Sequence, residues 1–217
     1  MPSWPIHLAL ANKLNKKLNL GDEFILGNVL PDVLGKNMIN NHSQTIDKSI
    51  SHFRYKNRKL IDVDSFIDKY KNYFDNPIVL GYLSHLITDK YFNDYFYINH
   101  VVGEDQKAIL KNGSLYDGEE KTWQIKRRDF EIFSKKLIND NYLSNLNAKN
   151  IKKKDLIIEE VPITDSDLEK TVKKINEFSM QNKIYKPNDF EIFTEEKLME
   201  IFNNCYKKIL DTIKTLN

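Results

Sequence analysis

The chain has 217 residues, 41% hydrophobic and 29% charged, a balance that excludes a disordered polymer and suffices for one well-filled core. Its 33 basic residues against 31 acidic ones leave a formal charge of +2, which excludes recruitment of nucleic acid or an anionic membrane by an overall field. The lone Cys205 excludes an internal disulfide, no apolar run of about 18 residues offers a transmembrane helix, and the start MPSWPIHLALANKL lacks the basic, then unbroken apolar, pattern of a secretory signal; the expected setting is cytoplasmic.

In chain order, Leu10, Ala11, Leu14 and Leu18 recur at three- and four-residue steps, which predicts an amphipathic helix over Ile6–Leu20 with His7 on its inner side. The apolar stretch from Phe24 to Leu34 is interrupted by Pro31, so Asp32 is expected at a bend. Residues 36–48 read as a polar loop, followed by a short segment marked by Ile46, Ile50 and Phe53 that carries His52. Asp64 and Ser65 predict the cap of a helix running to about Phe74, and Asn76-Pro77 the start of the next.

From Ile78 to Tyr97 apolar residues fall nearly all around a helical wheel, the pattern of a central helix. Residues 98–118 read as irregular, and Glu119–Leu143 as a long helix carrying Trp123, Ile125, Phe130, Phe133 and Leu137. The run Lys152-Lys153-Lys154 reads as solvated surface, and Ile157–Pro162 as a short extended piece. Thr164–Asp167 predicts a capping box opening a helix to about Asn182, and Thr194–Leu216 a terminal helix with Cys205 on its core face. The expected fold class is all-α: one domain over residues 1–217, a multi-helix bundle around a buried central helix at about 77–97. Candidate site residues fall in a half at 1–105, and a helical C-terminal half follows at 116–217.

Chemistry is concentrated in few residues. His85 and Asp89 are four apart in LGYLSHLITDKYF, so on a helix they share one face a turn apart, able to grip one ion or simply to pair with each other. An aspartate among leucines and aromatics costs several kcal/mol unless a cation or strong hydrogen bonds compensate, and a metal supplies that compensation. Taken singly, His7 also fits a core or capping histidine, Asp32 an Asx-turn or cap, His52 has no diagnostic spacing, and His42 reads as a loop residue. Together, three histidines and two aspartates fall at helix starts, bends or buried faces. Donors of nitrogen and carboxylate type without thiolate suit zinc, and equally iron, manganese or nickel.

The ordered segments WPIHLALAN, ILGNVLPDV, ISHFR and VLGYLSHLITD, spread from Trp4 to Phe96, resemble those of the zinc-dependent phospholipase C family, including its smaller bacterial members. The resemblance implies an all-helical domain with one to three zinc ions in a cleft. It implies a first site of Asp32, His52, His85 and Asp89, with Asp89 bridging to an ion that His7 also holds and Asp32 orienting a water. Closely spaced metals there clamp a phosphodiester and generate a hydroxide nucleophile. Two departures stand out. Trp4 follows Met1-Pro2-Ser3, where secreted members present a terminal tryptophan amine to zinc. Beyond the central helix the family carries a histidine and then a histidine and glutamate four apart; here Asp94, and His100 with Glu104, stand near those positions as weaker ligand candidates.

The resemblance thus implies a metal-dependent hydrolase of phosphoric esters acting on a lipid or small-molecule substrate. The alternatives are a non-catalytic helical protein with a structural metal, and a single-strand nuclease of the same superfamily. The nuclease wants stacking aromatics beside a basic groove. Tyr91, Phe92, Tyr95, Phe96 and Tyr97 read instead as core, and Lys126-Arg127-Arg128 is a weak patch, so no strong nucleic-acid signature is present. Phosphohydrolases built on an adjacent His-Asp pair are disfavoured because that dipeptide does not occur.

Overall fold

A computed structural model describes residues 2–216 apart from 36–37, 56–59, 105, 117, 148–150, 152–155, 182–183 and 187–188. The Lys152–Lys154 run, the residues after Gly35 in the first polar loop and the expected helix end at Asn182 therefore lie outside the described residues, in whole or in part. The described helices are α1 (Trp4–Leu18), α2 (Asp22–Val33), α3 (Lys48–Ser51), α4 (Val63–Tyr70), α5 (Pro77–His100), α6 (Glu119–Asn139), α7 (Asp165–Ser179) and α8 (Glu195–Leu216). The fold is predominantly α-helical, and among the described residues no helix is long and apolar enough to cross a membrane.

Helix α5 is the central element. Asn76 caps it by accepting from the Ile78 amide, and Pro77 fills the first turn, where no amide partner is needed. Helices α1, α2, α4 and α8 all pack against it, and the α2 crossing is the most extensive. Glycine sets that crossing. A Cβ on Gly81 would fall 2.1 Å from the Phe24 carbonyl oxygen, and one on Gly27 would fall 2.2 Å from that of Ile78. The two helices therefore touch backbone to backbone, closer than any side chain allows.

Several local expectations are corrected. Pro31 does not break its helix: α2 runs through it to Val33, so Asp32 sits in the last helical turn and not at a bend after it. Proline costs one hydrogen bond to Gly27, a loss tolerated this close to a helix end. Asp62, not Asp64 or Ser65, caps α4 by accepting from the Ser65 amide, and a 3-10 turn over Lys71–Tyr73 prolongs that helix. Helix α6 stops at Asn139, short of Leu143, where Asn141 takes the left-handed conformation at φ 58°. The irregular 98–118 stretch contains a small antiparallel sheet, β1 (Val101–Val102), β2 (Lys107–Ile109) and β3 (Leu115–Tyr116), with Val101 opposite Ala108 and Ala108 opposite Tyr116. No strand is assigned among the described residues of 157–162, although Ile158 and Val161 are buried.

One apolar cluster runs from Trp4 to Ile213 and takes in Cys205, which is free and buried. The capping box forms as expected, and Asp167 in it also accepts from the amide and hydroxyl of Ser43, tying the loop before α3 to α7. The Lys126–Arg128 run is not an open basic face. Lys126 is buried, with Nζ 4.6 Å from the Phe96 ring centre and 3.1 Å from Asn93 Oδ1, while Arg127 pairs with Glu131 and Arg128 with Glu191. Trp123 on α6 is 47% exposed.

Candidate metal centre

Five side chains predicted from sequence converge at the α2–α5 crossing: His7 from α1, Asp32 from the end of α2, His52 from the C-cap of α3, and His85 and Asp89 from α5. His7, His52, His85 and Asp89 are fully buried and Asp32 is 3% exposed. His52 Nε2 lies 3.4 Å from His85 Nε2, 3.4 Å from Asp32 Oδ1 and 3.5 Å from Asp89 Oδ2, and His85 Nε2 lies 3.7 Å from that same Asp89 oxygen. The other Asp89 oxygen faces His7 Nε2 at 3.2 Å, while the His7 ring stacks on that of His85 with centres 4.0 Å apart.

Proton bookkeeping shows what this packing lacks. His85 Nδ1 stands 2.7 Å from the Asn28 carbonyl oxygen. That oxygen can only accept, so Nδ1 carries the hydrogen and Nε2 presents a bare lone pair. Burial, reinforced by neighbouring His7, pushes the His85 imidazole down to about 3, so it is neutral at pH 7. That lone pair thus faces a carboxylate oxygen of Asp89, and two acceptors do not attract one another. Both oxygens of Asp89 are buried without an aligned hydrogen-bond donor, because the 3.2 Å approach of His7 has the right length but the wrong direction.

Electrostatics keeps both carboxylates ionised. Burial opposes the charge on Asp89, but His7 beside it outweighs that and holds the carboxyl below its ordinary range. Burial likewise opposes the charge on Asp32, yet His52 and Lys48 hold it well below the carboxylate range. Asp32 also lies in the last turn of α2, where the helix dipole disfavours an anion. Two carboxylates meet one ammonium, that of Lys48 at 2.8 Å from Asp32 Oδ1. A tetrahedral ion with Zn–N near 2.0–2.1 Å sets neighbouring donor atoms about 3.3–3.4 Å apart, close to the separations found here. The buried His and Asp groups can therefore hold a metal ion.

Residues that carry no ligand atom of their own set this geometry. His52 Nδ1 is 2.9 Å from Ser51 Oγ, and the Ser51 carbonyl accepts from the Tyr82 hydroxyl, which pins α3 onto α5. Asn28 Nδ2 donates to Ser84 Oγ, which donates to the Gly81 carbonyl, bracing α2 against α5 beside His85. Sequence reasoning missed Asn28, Ser51, Ser84 and Lys48. For Lys48 a signal existed, since it lies one helical turn before His52.

The weaker candidates do not join the cluster. Asp94 pairs with Lys90 at 2.9 Å, His100 packs between Phe96 and Phe193, and Glu104 is exposed. From Asp89 to His100 the helix rises about 16 Å, and α5 ends at His100, so His100 and Glu104 do not share a helical face. Trp4 opens α1 and is buried, and His42 lies in the loop between α2 and α3. No protein-family model, no curated protein and no solved structure matches the chain.

The protonation states yield a pH prediction for protein stripped of metal by a chelator. Below pH 6.5 the unfolded chain protonates His85, whereas the folded one resists down to about pH 3, so stability is complete above 6.5 and falls with acid. The slope is about 1.4 kcal/mol per pH unit for such a histidine. Asp32, depressed in the fold, adds loss in the same direction at lower pH. Urea midpoints should decline steadily from about pH 6.5 to pH 4; a flat midpoint down to pH 5 would mean that His85 takes its proton in the folded state.

Proposed function

We propose that this cluster is a divalent-metal centre and that the chain is a phospholipase C-like hydrolase of phosphoric esters, acting on a lipid or small-molecule substrate. The supporting observation is the crowding of two carboxylates and two imidazoles at 3.4 to 3.7 Å in a buried site, with neither oxygen of Asp89 hydrogen-bonded. The donor set suits zinc, in one to three ions, and equally iron, manganese or nickel. His52, His85, Asp89 and Asp32 would hold the first ion, and His7 with the second oxygen of Asp89 would begin another place beside it. When bound, such an ion supplies Lewis acidity toward a phosphoryl oxygen and lowers the pKa of a water.

The chain's own residues do the rest. The Asn28 carbonyl fixes the His85 tautomer so that Nε2 is the donor. Asp32 is the least buried of the five. Its Oδ1 is engaged by Lys48 and His52, which leaves Oδ2 to orient a water. The complete burial of His52, His85 and Asp89 favours a second reading, a structural ion in a closed site.

Elemental analysis of the purified chain, with hydrolysis of a chromogenic phosphodiester, a phospholipid and single-stranded DNA before and after chelation, separates these readings. The expected result is bound zinc, phosphodiester turnover lost with chelator, and recovery when zinc is returned. Bound metal without turnover of any ester would leave only the structural ion. Absence of metal from every preparation would remove the centre altogether.

A further inference from the structure

Lys48 is a half-exposed cation in contact with the buried cluster: its side chain is 37% exposed while that of its partner Asp32 is 4% exposed. It stands on α3, the four-residue helix whose C-cap is His52, so one short element delivers both an imidazole and an ammonium. Its stem crosses the end of α2 at Gly35, where an added Cβ would lie 3.7 Å from Lys48 Cε and 2.9 Å from the Asp32 carbonyl oxygen. The ammonium occupies Asp32 Oδ1, the oxygen that also faces His52. It is therefore a cation already seated on one of the donors a metal would need.

Resting on the metal-centre reading above, we infer that Lys48 is a displaceable cation at the mouth of the site: it holds Asp32 in metal-free protein, gives that oxygen up when a divalent ion enters, and then receives an anionic oxygen of the incoming phosphoric ester. An ammonium and a divalent ion on one carboxylate oxygen repel each other, the more strongly the less solvent lies between them. The flexible four-carbon stem of lysine lets the charge swing outward while its helix stays in place. A freed ammonium beside a buried metal is a ready point contact for a phosphate oxygen approaching from solvent. Lys48 is thus a substrate-binding residue and a competitor for metal at once.

The test compares full-length wild type, Lys48→Met and Lys48→Arg for zinc affinity, by competition with a chromophoric chelator, and for binding of inorganic phosphate to the zinc-loaded protein. Lys48→Met is expected to bind zinc roughly tenfold more tightly, having no ammonium to displace, and phosphate roughly tenfold more weakly, while Lys48→Arg keeps both wild-type values within about threefold. Should Lys48→Met fold poorly, reductive methylation of the wild type gives an independent reading: Lys48 should be modified faster with zinc than without. Equal zinc and phosphate affinities in wild type and Lys48→Met, or zinc-independent methylation, overturn the role of Lys48 while leaving the metal centre standing. A wild type that takes up no zinc overturns both.

Discussion

Replacing Asp89 by asparagine is expected to abolish tight zinc binding and, at the same time, to raise the melting temperature of the metal-free protein. The carboxylate is fully buried, and neither of its oxygens has an aligned donor. Burial makes that charge costly, His7 beside it lowers the cost without an aligned hydrogen bond, and a cation would relieve the rest. The asparagine amide has nearly the same shape and no charge, and its NH2 can donate to the bare His85 Nε2, which lies 3.7 Å from Asp89 Oδ2 in the wild type. We expect a gain of about 1–3 kcal/mol in chelator, the size of a relieved buried polar defect. In excess zinc the order should reverse, because only the wild type gains binding energy, about 4 kcal/mol at a thousandfold excess over Kd. Thermal melts of both proteins with zinc and with chelator measure this crossing. If Asp89→Asn melts lower than the wild type in chelator, the Asp89 charge is already compensated by the surrounding histidines, and the electrostatic case for a metal fails.

The second large effect concerns a residue with no chemistry of its own. Gly81→Ala should destabilise the protein by about 3 kcal/mol and disperse the cluster, although alanine is the better helix former by about 1 kcal/mol. The new methyl would meet the Phe24 carbonyl oxygen at 2.1 Å and the Asn28 amide nitrogen at 2.8 Å. Both are backbone atoms and cannot rotate away, so α2 and α5 must separate. Separation pulls the Asn28 carbonyl off His85 Nδ1 and moves Asp32 away from His52. For a chain of this size the loss corresponds to a fall in Tm of roughly 10 °C. Gly27→Ala opens the same gap through the Ile78 carbonyl, so the double variant should cost far less than the two single changes together. Additive losses would show that the glycines act through separate contacts, and a wild-type Tm for Gly81→Ala would show that the crossing has room for a methyl group.

These two residues mark what the sequence revealed and what it did not. Charge in an apolar helix is visible in the string, because Asp89 stands out among Leu86, Ile87, Tyr91 and Phe92 and its partner His85 lies one turn away. The order of the donors and the helical periods around them were legible for the same reason, since period and polarity are local properties. The glycines were not legible as a pair. Each reads as an isolated weakness in a helix, and only their contact across the crossing gives them a purpose. Strands of two and three residues are too short to display alternation, so the small sheet after α5 was hidden. Lys126 was misleading because its neighbours Arg127 and Arg128 are exposed, whereas its own charge is turned inward against Phe96. His100 and Glu104 have the spacing of a ligand pair, but that spacing has meaning only on a continuous helix, and α5 ends between them.

The five clustered donors are drawn from four elements far apart along the chain, with only His85 and Asp89 neighbours in sequence. Loop closure between such distant points has to be completed by apolar contacts before any set of donors is complete. The order of assembly follows from this: a nascent chain emerging from the ribosome offers an ion no more than a two-pronged hold until α1, α2 and α3 have docked on α5. On the proposed metal-centre reading, loading belongs to the finished scaffold, the opposite of a zinc finger, in which the ion is the nucleus around which a short peptide collapses.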